Sequence, residues 1–371
     1  MSQTKKNIPP AADLVARNKA KYETLYRKKK GAVVTIDFPA EGYENFNQVR
    51  RLDDAEFDYS QTLALYAKDC DAVAAGFDNV PVTSFSIGGV AYLIAMAYGC
   101  ELVRNESNVV SAAHAYASIA EASEMKPLER IWERGLYPLI FERIAEFSRR
   151  HGDLAVTISD NQSPIDVFTS IVNPEEAMLG MYDDPETTHR ILGIIANSIV
   201  EINRHFAGTL TDFAGFHAGR YLPFGMHVSD DNAAFLSPAI YDEFARPYAE
   251  RLSDEFGGIA FHCCMKYEQN LAAISATKGF MGFDPQTAFN DASKIMSAVE
   301  GRGVWHIRIN PWEKPQDASP DLEERVRLIF EMLEGRDIGV EFWCFGQTRD
   351  EAVRLGNMVK ERASRQGMLI E

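Results

Sequence analysis

From about residue 150 to the C-terminus one pattern recurs: a stretch with helical spacing of apolar positions ends in glycine, and a short, almost continuously apolar run follows. The junctions are His151-Gly152 before LAVTISD, Gly257-Gly258 before IAFHCC, Gly279 before FMGFD, Gly301 to Gly303 before VWHIRIN, and Gly335 before IGVEFWC. Glycine just past a helix end supplies the left-handed conformation that closes the last turn. Runs without polar alternation are what strands buried on both faces require. Helix starts are legible as well. Asn173-Pro174-Glu175-Glu176 and Thr348-Arg349-Asp350-Glu351 have capping-box form, and Ser237-Pro238 sets a cap residue before a proline at the first helical position.

Strand, short loop and capped helix make a βα unit. With earlier candidate strands at 31–38 and 71–80, and one strand expected within 210–230, about eight strands alternate with helices. The predicted fold class is α/β, a TIM (β/α)8 barrel with N-terminal helical additions. A doubly wound sheet would share the alternation, but no G-x-G-x-x-G or P-loop follows any strand. No linker divides the chain, so residues 31–371 read as one barrel domain and residues 1–30 as a basic helical arm. Residues 1–31 hold nine Lys or Arg against two acids; a solvated helix is the simplest account, docking on an acidic surface the alternative.

The 371 residues are 46% apolar and 25% charged, ample for a large core, with a net charge of −16. That balance argues against a nucleic-acid or anionic-membrane partner and for a small-molecule enzyme. The uncharged stretch 79–100 is broken by Pro81, Gly88 and Gly89 and reads as buried rather than membrane-spanning. Five widely spaced cysteines do not look like a disulfide framework, and the expected compartment is the reducing cytoplasm, where thiols are free to bind metal.

In a barrel the chemistry sits at the C-terminal ends of the strands. The run IAFHCC ends in His262, Cys263 and Cys264, and the last run ends in Cys344. Positions i and i+2 of a strand face the same way, so His262 and Cys264 converge while Cys263 points away. With Cys344, one imidazole and two thiolates would meet at the barrel mouth, a set suited to a catalytic zinc with a vacant fourth position. The plainer alternative is that the cysteines are small buried strand residues and His262 a satisfied core histidine. Other strand ends carry Asp37, Asp160, Asp230, Asp231 and Asp284, an acidic mouth. Asp230 and Asp231 are the candidate acid–base pair, since neighbouring carboxylates can split their pKa values. Asp160 with Gln162, together with His227 and Tyr221, are candidates for orienting the substrate.

Residues 229–264, SDDNAAFLSPAIYDEFARPYAERLSDEFGGIAFHCC, resemble the uroporphyrinogen decarboxylase superfamily, whose members carry an SP-Y-F-PY helix before a strand ending in H-x-C or H-C-G. SDNQSPIDV (159–167), NPEEAMLGMYDDPETTHRIL (173–192) and CFGQTRDEAVRLGNMV (344–359) extend the resemblance over most of residues 80–365. His262, Cys264 and Cys344 are similar to the zinc site of the corrinoid-dependent methyltransferases of that superfamily. The resemblance implies a TIM barrel and zinc on those three residues. It also implies transfer of a methyl group between a small donor or acceptor, such as a methoxylated aromatic, a methylated amine or a thiol, and the cobalt of a corrinoid on a partner protein. The corrinoid would arrive on that partner, because no D-x-H-x-x-G motif is present here. The alternatives are a metal-free decarboxylase-like lyase, which would need cations for a polycarboxylate where this mouth offers acids, or a non-catalytic barrel. A partial echo of the decarboxylases' R-Q-A-G-R-Y-L-P motif at 218–223 falls mid-chain, away from its place in the family, and reads as coincidence.

Overall fold

A computed structural model describes residues 12–43, 54–84, 90–104, 110–152, 154, 156–157, 161–210, 221–285, 289–310 and 322–371. Each of the five predicted glycine-to-strand junctions leads into one of eight described strands that pair in parallel. They are β1 (Gly31–Asp37), β2 (Thr83–Ser84), β5 (Val156–Thr157), β6 (Met226–Ser229), β7 (Ile259–Cys263), β8 (Phe280–Pro285), β9 (Val304–Ile309) and β10 (Gly339–Phe345). Two more, β3 (Glu101–Arg104) and β4 (Val110–Ala113), form an antiparallel pair outside this ring. A six-stranded parallel sheet runs β1-β10-β9-β8-β7-β6, and β2 pairs with β5. Backbone groups close the remaining joints. Ser229 N–H donates to Asn161 O at 2.8 Å and Ser163 N–H to Ser229 O at 2.7 Å, tying the segment after β5 to β6. On the other side Asp78 N–H donates to Val34 O at 3.0 Å, and the Asn79 side-chain amide exchanges hydrogen bonds with Ile36 N–H and C=O, as a strand backbone would. The fold is the expected α/β TIM-like barrel.

The strand expected over 71–80 is displaced: Asp71–Ala74 complete the helix Ala55–Ala74, and the β2 pairing begins at Thr83. Its alanine-rich end suits a helix as well as a buried strand, so periodicity could not separate them. The expected caps form. Asn173 accepts from Glu175 and Glu176 N–H, Ser237 from Ile240 N–H, and Thr348 from Glu351 N–H while Glu351 returns a bond from Gln347 N–H.

Alternation along the strands divides their residues between two cores. Val34, Ile36, Ile307, Ile309, Val340 and Phe342 are buried between sheet and helices. The inward row is unusually polar: Ala260, Gly282, Asp284, His306 and Glu341 line a small interior cavity. A β-bulge sets one of these faces. Ile259 pairs with Phe280 but Ala260 pairs with Gly282, so Met281 is the extra residue. That single insertion flips the faces that follow and turns Asp284 inward, opposite His262. Only glycine fits at 282, where a Cβ would lie 2.3 Å from Val304 O.

Of the expected arm, residues 12–28 form a helix that closes the barrel's N-terminal end. Tyr22, Leu25 and Tyr26 are buried against the inward residues Val33, Ala260, Met281 and Val304, while Arg17, Arg27 and Lys28 face out. Asn18 donates to Phe77 O and Asn79 O, and Tyr22 OH donates to Glu341 Oε1 at 2.9 Å inside the barrel. Between the outer helices Ala55–Ala74 and Tyr137–His151, Asp58 and Arg143 form an ion pair with both side chains buried. Among the described residues no helix is long and apolar enough to cross a membrane.

Candidate metal centre at the barrel mouth

The chemistry gathers where β6, β7 and β8 end. His262, inward on β7 and 3% exposed, is held from one side by Asp284 Oδ2, 2.8 Å from its Nδ1. Its other nitrogen, Nε2, lies 2.8 Å from Cys264 Sγ. Arg308, inward on β9, spans the same carboxylate with Nη2 at 2.8 Å and Nε at 3.2 Å, and its guanidinium lies over the Trp343 ring at 5.3 Å. Burial opposes a charge on His262, but the Asp284 carboxylate and the Cys264 sulfur outweigh it and push its pKa up to about 10.

Asp231, just past β6, completes the group. Its Oδ1 accepts Cys264 N–H at 2.6 Å, and one donor atom each from Asp231, His262 and Cys264 lie within 4.8 Å of one another. Imidazole, thiol and carboxylate together suit a borderline divalent cation such as zinc. A carboxylate on the far nitrogen of the imidazole is the usual means of orienting a metal-binding histidine. Cys264 is exposed, so the group opens to solvent and leaves room for a further ligand.

Cys344 does not join it. On β10 it pairs with Ile36 of β1 and Ile309 of β9, and with Val340 and Phe342 it is buried in the core between sheet and helices. Burial raises its thiol pKa, and the charge that reaches it is Lys360 of the helix Arg349–Arg365. The period of two that brings His262 and Cys264 together sends Cys344 to the outer face, where Cys263 also packs.

Among the other candidates, Asp230 is buried beside the site. Its N–H donates to His262 O at 2.8 Å and its Oδ2 accepts Tyr241 OH at 2.8 Å, from a single π-helical turn over Tyr241–Ala245. Burial, with the neighbouring Asp231 charge, raises the Asp230 pKa to about 6. The His227 ring is 6.5 Å from that of His262 and lines the interior cavity. Gln162 lies against Ser229, its side-chain oxygen buried and, among the described residues, without a hydrogen-bond partner. Tyr221 is deeper, edge-on to Tyr22 of the N-terminal helix at 5.5 Å. Asp160 lies outside the described residues. Two residues of the centre escaped the sequence reading. Asp166 receives the N–H groups of Asp231 and Asn232, and Arg308 braces Asp284. The polar Arg308 inside the apolar run VWHIRIN was the available signal.

The mouth is less acidic than its strand ends suggest. Asp284 is paired with Arg308, and Asp37 with Lys68 at 2.6 Å. Next to that pair, burial pushes the Asp69 carboxyl up to about 7, despite the opposing Lys68 charge. A carboxyl raised in the folded state above its ordinary value stabilises the fold below about pH 4 and loses that contribution as pH rises through about 7. The Asp69→Asn variant keeps an acceptor for Asn79 and removes the ionisation. Its melting temperature is expected to match wild type near pH 4, to exceed it increasingly as pH rises to about 7 and to hold a constant lead above that, a gap on the order of 4 kcal/mol at most. Parallel melting curves across that range would contradict the assignment.

An α/β barrel with a nitrogen, sulfur and oxygen donor cluster at the C-terminal ends of adjacent strands defines the class. The uroporphyrinogen decarboxylase (URO-D) family profile matches residues 56–303, and the chain belongs to that family. No curated protein matches it by sequence. Among solved structures, a methyltransferase from Methanosarcina mazei superposes with TM-score 0.63 at 14% identity, over 95% of this chain and 98% of that one. A putative vitamin-B12 independent methionine synthase from Listeria monocytogenes gives 0.46 at 11% identity, over 91% and 97%.

Proposed function

We propose that the chain is a zinc-dependent methyltransferase that moves a methyl group between a small molecule and the cobalt of a corrinoid carried by a partner protein. The observation that carries this reading is the cluster of Asp231, His262 and Cys264, with Asp284 fixing His262. Asp231 takes the place that the sequence assigned to Cys344. Bound there, zinc would supply Lewis acidity toward a thiol or a methylated heteroatom. The protein's own part is to present the donors. Asp284 fixes the imidazole with Nε2 toward Cys264, and Arg308 holds Asp284. Asp230, with its raised pKa, would hold a proton near the reacting group, while His227 lines the cavity below His262. The fold likeness to a methyltransferase agrees with this reading.

A decarboxylase-like reading has less support, because a polycarboxylate calls for cations. Lys68 and Arg308, the cations described at this mouth, are already paired with Asp37 and Asp284. The test is metal content together with methyl transfer to Co(I) cobalamin. About one zinc per chain is expected, lost in Cys264→Ser and retained in Cys344→Ser. Metal-free wild type that turns over uroporphyrinogen would replace this reading with the lyase.

A further inference from the structure

We propose that Asp166 is the positioning residue of the metal centre, holding Asp231 in place through the backbone of the loop that carries it. This rests on the metal-binding reading above. Asp166 lies in the first turn of the helix Pro164–Ile171 and is 2% exposed. Its Oδ2 accepts Asp231 N–H at 2.8 Å, and its Oδ1 accepts both Asn232 N–H at 2.9 Å and Asn232 Nδ2 at 2.8 Å. Asn232 Nδ2 also reaches Thr169 Oγ1 on the same helix at 3.0 Å. The helix is itself fixed to the strand end, since Ser163 caps it, accepting Asp166 N–H at 3.2 Å, while Ser163 N–H donates to Ser229 O. The chain of contacts is therefore Asp166 to the Asp231 backbone, and the Asp231 carboxylate to Cys264 N–H at 2.6 Å.

The partners of Asp166 in these bonds are neutral N–H groups, and two further carboxylates, Asp230 and Asp231, stand beside it. Burying a third acid there is unfavourable for folding alone. Helix capping does not require it either, because Ser163 already fills that role. What a carboxylate supplies is two acceptor oxygens for donors that converge from adjacent residues. An amide at this position offers one oxygen and turns its NH2 against a donor.

The experiment titrates the metal-free full-length protein with Co²⁺. The thiolate-to-cobalt absorption reports Cys264, and competition against a chelator gives affinity. Asp166→Asn, with unchanged circular dichroism, is expected to bind Co²⁺ at least about tenfold more weakly while keeping the thiolate band. Because Asp166 acts through Asp231, the Asp166→Asn/Asp231→Asn double variant is expected to bind no more weakly than Asp231→Asn alone. If Asp166→Asn does not fold, Asp166→Glu, which keeps both oxygens but moves them, carries the same cycle with the same expectation. Unchanged affinity, or losses that add in the double variant, would overturn the assignment and leave the metal reading standing. Wild type that binds no Co²⁺ would overturn both.

Discussion

Arg143→Ala is expected to destabilise the protein by about 3–5 kcal/mol. Arg143 and Asp58 are 4% and 1% exposed and pair between two outer helices. Removing the guanidinium leaves a buried carboxylate without its counter-charge, which is worse than never having buried the pair. A double variant, Asp58→Leu with Arg143→Met, is expected to recover most of the loss, because desolvation of both charges disappears together. Urea denaturation of the three proteins measures this, and a single variant within about 1 kcal/mol of wild type would show that water reaches the pair.

At the mouth, Asp284→Ala is expected to weaken zinc or cobalt binding by about 10–100-fold without touching a proposed ligand. Asp284 carries two loads, the Nδ1 of His262 and the guanidinium of Arg308. Without it the imidazole is free to turn, and a buried arginine stands next to the incoming cation. Asp284→Asn is expected to recover part of the affinity, since an amide oxygen still accepts from Nδ1, but not all of it, since the charge is gone. Competition titration separates the two, and equal affinity in wild type and Asp284→Ala would mean that His262 is oriented by something else.

The helices, their caps and most strands were legible because each is fixed by local rules: glycine after the last turn, serine, threonine or asparagine before the first, unbroken apolar runs between. His262 and Cys264 were legible for a similar reason, since two residues on one strand share a face whatever the rest of the molecule does. Cys344 failed where local rules stop. Its face depends on where β10 begins relative to its neighbours, and register is a tertiary property. Asp284 shows the same dependence in its favour, since a bulge at Met281 turns it toward His262. Asp231, read as an acid–base residue, became a candidate ligand only once the loop after β6 was folded back onto Cys264 N–H. Reading charge from strand ends also misled. Lys68 and Arg308, which neutralise Asp37 and Asp284, come from a helix and a strand that no short motif connects to them.

The N-terminal helix has a kinetic corollary. With Tyr22 and Tyr26 seated in the floor of the barrel, a ligand bound for the interior cavity passes through the upper opening, beside His262 and Cys264. If a second reactant arrives mounted on another macromolecule, both share one doorway. The small reactant must enter before that opening is covered and leave after it is cleared. Turnover would then follow a compulsory order of addition, and an excess of the macromolecular reactant would slow the enzyme by closing the door on an empty room.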